Sequence, residues 1–228
     1  MSKKFLAILA AIVIIFAGIV IVSGNSNNKK SGGSAGTLTQ HIEGQGKTGV
    51  TLVEYGDYQC PFCGQYFPIV KQVQAEFNQQ IFFQFRNYPL VSVHQNAFAG
   101  ARAAEAAGLQ KKFWEMHDAL YETQTQWSAA SDPTSFFTQY AQQLGLNVTQ
   151  FKTDYASTKV NDLINADLAE GNKLNITGTP TFFLDGKQVN VSETASSFEN
   201  LINAEIAKKA GQTTTAPTSS GTTTQTKK

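Results

Sequence analysis

The sequence predicts an α/β domain in the element order β-α-β, helical block, β-β-α, carried behind an N-terminal membrane anchor. Three observations carry that reading. A β-branched run at 50–55 (V-T-L-V-E-Y) is followed from Cys60-Pro61 by a helical pattern and then by a second apolar run at 81–85. Apolar residues at helical spacing then occupy about 92–172. Finally, two short apolar runs flank Asp185-Gly186 and lead into an amphipathic segment at 196–209.

The elements follow in chain order. Residues 5–22 form an apolar run behind Lys3 and Lys4. At about 1.5 Å per residue it nearly crosses a bilayer core of about 30 Å. Residues 1–24 are therefore expected to be a cytoplasmic tip and transmembrane anchor; a cleaved signal peptide is the alternative, although Val22, Ser23 and Gly24 make a poor cleavage site. Residues 25–36 are Asn, Ser, Gly and Lys apart from Ala35 and read as a flexible linker. The folded unit is expected over 37–211, and the Thr-, Ser- and Lys-rich stretch 212–228 as a disordered polar tail.

Within the folded unit, Val70, Val73 and Phe77 keep helical spacing after Cys60-Pro61, so strand, helix and strand make a βαβ unit with parallel strands. In the block after it, Phe113, Met116 and Leu120 recur helically, as do Phe137, Tyr140 and Leu144, and then Val160, Leu163, Ile164 and Leu168. Its aromatic residues, Trp114 and Trp127 among them, read as packing. Runs 181–184 and 187–191 predict a hairpin with a type I′ turn at Asp185-Gly186. The closing helix turns Phe198, Leu201, Ile202 and Ile206 inward.

The 228 residues carry a formal charge of +1 with acids and bases interspersed, which argues against a nucleic-acid surface. The chemistry-bearing feature is a pair of cysteines, Cys60 and Cys63. A cysteine opening a helix sits among unpaired backbone N–H groups at the positive end of the macrodipole, so Cys60 is expected to have a lowered thiol pKa. Pro61 suits the first helical position, and Cys63 lies one turn on, in reach of Cys60. A structural staple over so short a loop would stabilise little. Half a zinc site would need His41, His94 or His117, with no second cysteine pair to help. Redox exchange is the reading that uses the pair, with no cofactor beyond the Cys60–Cys63 disulfide and no metal.

The segment Glu54-Tyr55-Gly56-Asp57-Tyr58-Gln59-Cys60-Pro61-Phe62-Cys63 resembles the active-site segment of DsbA-like thioredoxin-fold thiol-disulfide oxidoreductases, and Gly178-Thr179-Pro180-Thr181 resembles their cis-proline loop. The likeness runs from about Gly49 to Ala207 and takes in R-N-Y-P-L at 86–90, His94 and K-F-W-E-M-H-D at 112–118. It implies a thioredoxin-like fold with a helical insertion, a cis bond before Pro180, and a substrate-facing surface of Thr179, Pro180, Pro61 and Phe62. It also implies that Glu54 is a partly buried acid assisting proton transfer at Cys63, with Asp57 a weaker neighbour. His94 reads as a capping or packing residue outside the catalytic set. The expected partners are thiol-containing exported proteins, and a membrane quinone reductase of the DsbB or VKOR kind that re-oxidises the pair. The expected setting is a single-pass cell-membrane protein with its catalytic domain on the extracytoplasmic side. An isomerase or reductase of the same fold, and a non-catalytic tethered peptide-binding module, are the alternatives.

Overall fold

A computed structural model of the chain describes residues 37–213. The expected anchor and linker lie outside the described residues, as does the tail from 214 onward. Among the described residues no helix is long and apolar enough to cross a membrane.

The elements run β1 (His41–Glu43), β2 (Val50–Gly56), α1 (Pro61–Phe77), β3 (Ile81–Asn87), α2 (Ala97–Gly108), α3 (Phe113–Glu122), α4 (Gln124–Trp127), α5 (Thr134–Gln143), α6 (Val148–Tyr155), α7 (Thr158–Lys173), β4 (Thr181–Leu184), β5 (Lys187–Val189) and α8 (Ala195–Thr213). The predicted order is present: βαβ, helical insertion, then ββα.

The strands form one sheet in the order β1-β3-β2-β4-β5. β2 and β3 run parallel, Val50 opposite Ile81 and Gly56 opposite Asn87, joined by the crossover helix α1. β4 lies antiparallel to β2, and β5 antiparallel to β4. The hairpin turn holds Asp185 at φ 47° and Gly186 at φ 76°, the two positive values a type I′ turn needs. One strand went unpredicted: β1 adds antiparallel to the outer edge of β3. Its three residues, H-I-E, are too short and polar to give a period. The second hairpin strand ends at Val189, short of the expected Val191, and α8 runs past the expected 209 to Thr213.

Alternation along β2 decides where the site sits. Val50 and Leu52 face the main core, where they meet Val70, Val73 and Phe77 of α1, Phe83 and Phe85 of β3, and Phe198 and Ile202 of α8. Thr51, Val53 and Tyr55 point the other way, Tyr55 into a small cluster with Tyr88, Ile176 and Phe183. With a period of two, Glu54 therefore shares the face of Val50 and Leu52, beneath α1. Gly56 ends the strand where only glycine fits, since a Cβ there would stand 2.5 Å from the Phe85 ring.

The insertion helices close over the same core. Trp127, Phe137, Phe151, Val160 and Ile164 are fully or almost fully buried in it, and the Trp127 indole N–H donates to the Leu120 carbonyl at 2.9 Å. An ionic network ties the insertion to the sheet: Asp167 of α7 accepts from the Thr39 amide and hydroxyl, from Arg86 and from the Asn87 amide, at 2.7–3.1 Å. All of these groups are buried. Satisfying a buried carboxylate this completely is what makes its burial tolerable.

Candidate active site

The loop from Asp57 to Cys60 carries the chain from the end of β2 into α1. Cys60 caps the helix with extended backbone (φ −67°, ψ 122°), and Pro61 fills the first turn as its fixed φ and missing N–H predict. The Cys60 amide is bonded back to the Asp57 carbonyl at 3.1 Å. Both cysteines are reduced and buried, Cys60 at 3 % exposure and Cys63 at 0 %.

Their environments push them apart. The Cys60 thiol is lowered to about 5: the hydrogen bond from the Cys63 thiol is the largest cause, burial opposes it, and Thr179 and the Cys63 and Phe62 backbone N–H groups add to it. These last two are the open N–H groups of a helix start, so Cys60 is lowered as expected, although the helix start is a lesser cause than the Cys63 thiol. Cys63 is driven well above the ordinary thiol value by burial first, then by its bond to Cys60 and the nearby Glu54 charge. The pair at neutral pH is thus one thiolate and one thiol, held against each other.

Glu54 sits on the core face as alternation requires, at 4 % exposure. Burial, and secondarily the Cys60 charge, raises its carboxyl to about 8. It is therefore protonated at neutral pH and charged only when the medium turns basic.

The second half of the site comes from the far end of the insertion. Thr179–Pro180 is a cis peptide bond, as the resemblance implied, and the Thr179 carbonyl oxygen lies 3.3 Å from Cys60 Sγ, placed to accept from it when the thiol is protonated. Beside it a cavity of about 330 Å³ runs along α1 and the β4–β5 hairpin, lined by Phe62, Tyr66, Pro180, Phe182, Val189 and Val191 among others. Phe62 stands 59 % exposed at its mouth. The sequence-predicted residues Cys60, Cys63, Pro61, Phe62, Thr179 and Pro180 thus meet in one place, with Glu54 beneath them.

His94 was expected outside the site, and its ring reaches into the cysteine loop: Nδ1 lies 2.7 Å from the Asp57 carboxylate. That carboxylate is fully buried and also accepts from the amides of Gln59 at 2.8 Å and Leu90 at 2.9 Å. The separation of thirty-seven residues between Asp57 and His94 gives no local signal that they meet. Gln124 of the insertion, likewise unpredicted, donates to the Tyr58 and Cys60 carbonyls at 2.8 and 2.9 Å. Among the described residues no cluster of three or more His, Cys, Asp or Glu side chains converges as a metal site.

A family model described as Thioredoxin matches residues 36–204, which takes in the whole sheet and both halves of the site. The chain belongs to the thioredoxin family. Its helical insertion and cysteine pair are the features that the resemblance to DsbA-like thiol-disulfide oxidoreductases implied. A thioredoxin-like oxidoreductase from Silicibacter pomeroyi is 26 % identical and superposes with a TM-score of 0.59 over 72 % of this chain and 90 % of its own. BdbD from Bacillus subtilis (23 %, TM-score 0.66, 75 % and 97 % covered) and α-DsbA1 from Wolbachia pipientis (22 %, 0.65, 77 % and 96 %) share the fold.

The chain also matches parts of larger chains. The Na(+)/H(+) antiporter NhaA 1 of Mycolicibacterium gilvum is 36 % identical over 152 residues, and that of Salinispora arenicola 38 % over 148. Each match takes in 65 % of this chain but only 24 % and 22 % of the antiporter, so the chain spans about a quarter of the length of these curated relatives.

Proposed function

We propose that the chain donates disulfides to exported proteins by dithiol–disulfide exchange at Cys60 and Cys63. The observation that carries this is the asymmetry of the pair: a Cys60 thiolate stabilised to about 5 against a Cys63 thiol that burial keeps protonated. A stabilised thiolate is a good leaving group and favours the reduced enzyme, hence oxidation of the substrate.

In the oxidised enzyme a substrate thiolate attacks Cys60 Sγ. The Cys60–Cys63 bond breaks, its electron pair passes to Cys63 Sγ, and a mixed disulfide forms at Cys60. Glu54, protonated at neutral pH and close enough for its charge to raise Cys63, supplies the proton that turns the Cys63 thiolate into a thiol. A second substrate thiolate then attacks the substrate sulfur of the mixed disulfide and expels Cys60 as its stabilised thiolate. The substrate leaves oxidised and both enzyme cysteines are reduced.

The surface around the pair suits unfolded chains. Phe62, with Val91 and Val93 of the turn after β3, stands 59–70 % exposed, and the cavity beside the cis-proline loop offers apolar side chains such as Phe62 and Val191 together with polar ones such as Gln188 and Asn190. Thr179 offers its backbone to an extended substrate strand beside Cys60. Pro61 fixes the helix start, so Pro61, Phe62, Thr179 and Pro180 form the substrate-facing rim.

Residues 1–24 are read as a single-pass anchor, 25–36 as a flexible linker and the end of the chain as a polar tail, so that the domain works outside the cell membrane. Homologous domains within chains named as antiporters support a setting beside a membrane. A membrane quinone reductase of the DsbB or VKOR kind would re-oxidise the pair. The test is to mix the oxidised full chain with a reduced dithiol peptide and count free thiols. The peptide is expected to lose two thiols per turnover, Cys60→Ser to be inert, and Cys63→Ala, pre-linked to the peptide through Cys60, to hold the mixed disulfide until the second peptide thiol displaces it. Peptide oxidation undiminished in Cys60→Ser would refute the reading, and a parent chain that leaves the peptide thiols intact would favour a non-catalytic binding module.

A further inference from the structure

Asp57 touches both cysteines through its backbone and leaves its carboxylate to be held by others. Its carbonyl accepts from the Cys60 amide at 3.1 Å, and its own amide donates to Cys63 Sγ at 3.5 Å. The side chain is fully buried, and three donors fix it: the Gln59 amide on Oδ1, and the Leu90 amide and His94 Nδ1 on Oδ2. Two of those donors are backbone. His94 is the single side chain in the set, and it comes from a turn that bonds to this loop from outside α1. A shift of the Asp57 backbone changes the N–H contact to Cys63, and the three bonds that pin its carboxylate oppose such a shift.

The chemistry makes that contact matter. When a thiolate attacks Cys60 Sγ, the electron pair of the breaking bond arrives on Cys63 Sγ, a sulfur with 0 % exposure and so without water to solvate the charge. The Asp57 amide is a backbone donor already in place to meet it. Removing the Nδ1 donor leaves Oδ2 with the Leu90 amide alone and frees the loop to settle elsewhere.

We propose that His94 is a positioning residue for the disulfide exchange, acting through the Asp57 carboxylate to hold the Asp57 amide on the Cys63 sulfur as it leaves. The inference rests on the exchange reading above. It assigns His94 no contact with substrate and no proton transfer.

The test uses the full chain: in its oxidised form it measures second-order reduction by dithiothreitol, and in its reduced form the pH dependence of Cys60 alkylation by iodoacetamide is a parallel readout of the other cysteine. His94→Leu keeps the volume of the ring without a donor; His94→Asn keeps a side-chain N–H near the position of Nδ1. Losing one hydrogen bond that serves a developing charge is expected to slow reduction about tenfold in His94→Leu. His94→Asn is expected to lose less than threefold, and the pH midpoint of Cys60 alkylation to stay where it is in the parent. The proposal is overturned if His94→Leu reacts within twofold of the parent, if His94→Asn is as slow as His94→Leu, or if the Cys60 midpoint moves along with the rate. A His94→Leu chain that does not fold overturns it as well, since the pair would then hold the fold and not the site. A parent chain that dithiothreitol does not reduce at all would sink the exchange reading itself, an outcome separate from these.

Discussion

Replacing Glu54 by Gln keeps the shape of the buried side chain and deletes its titration. In the parent the carboxyl is raised from 4.5 to about 8, burial first and the Cys60 charge second. The unfolded chain, with an ordinary carboxyl, releases its proton near 4.5, while the folded chain keeps it until about 8. Between these values the folded state binds more protons, so the Glu54 contribution to stability falls as pH rises across that window. At about 1.36 kcal/mol per pH unit, the loss reaches at most about 5 kcal/mol above pH 8 and is absent below 4.5. In the oxidised chain the Cys60 charge is gone and burial alone remains, so the loss is smaller but keeps its sign. Urea unfolding of the oxidised full chain and of Glu54→Gln at pH 5, 7 and 9 measures it. The two proteins should be of similar stability at pH 5, with the Gln variant ahead by about 2–3 kcal/mol or more at pH 9. A difference that is flat across pH would refute the burial of an ionisable Glu54 beneath the cysteines.

Four further outcomes follow from the same structure. The reduced full chain should show a Cys60 thiolate, read by absorbance near 240 nm or by alkylation, with a midpoint near 5, and Cys63→Ser should shift that midpoint, since the bond from the Cys63 thiol is the first cause of the lowering. Because the folded value lies below the ordinary 9.0, the Cys60 contribution to the stability of the reduced form is full above pH 9 and is lost as pH falls through about 5, opposite in sign to that of Glu54. Asp167→Ala would strand Arg86 and the Thr39 and Asn87 donors in the interior, at a cost of about 3–5 kcal/mol in urea unfolding, without moving the Cys60 midpoint. Trp127→Ala should cost about 3–5 kcal/mol by opening a cavity among Phe137 and its neighbours, read as a lowered thermal midpoint.

What was legible in the sequence tracks how locally each feature is encoded. Strand β2, helix α1 and strand β3 announce themselves because β-branched runs and a 3.6-residue period are local, and Val70, Val73 and Phe77 are all buried as that period requires. The cysteine pair and its place at a helix start follow from the four residues Cys60 to Cys63, whereas the larger causes of its asymmetry, the bond from the Cys63 thiol and the burial of Cys63, come from the fold. Strand β1 was missed because a three-residue edge strand owes its existence to β3, not to its own composition. Helix α2 is built on buried alanines such as Ala97, Ala101 and Ala104, whose small side chains give no strong amphipathic contrast although they let the helix pack closely. The Asp57–His94 pair and the Asp167 network escaped for a different reason: their partners are separated by thirty-seven residues and, for Thr39 and Asp167, by 128. Only the folded topology brings them together. Glu54 falls between these cases, since alternation along β2 gives its face but not what covers it.

The measurement closest to the central claim is the equilibrium reduction potential of the Cys60–Cys63 pair in the full chain, in glutathione buffers. A thiolate stabilised as Cys60 is here makes the reduced pair favourable, so the account predicts an oxidising value toward that of DsbA, about −120 mV. A value near that of thioredoxin, about −270 mV, would contradict disulfide donation and make the chain a reductase.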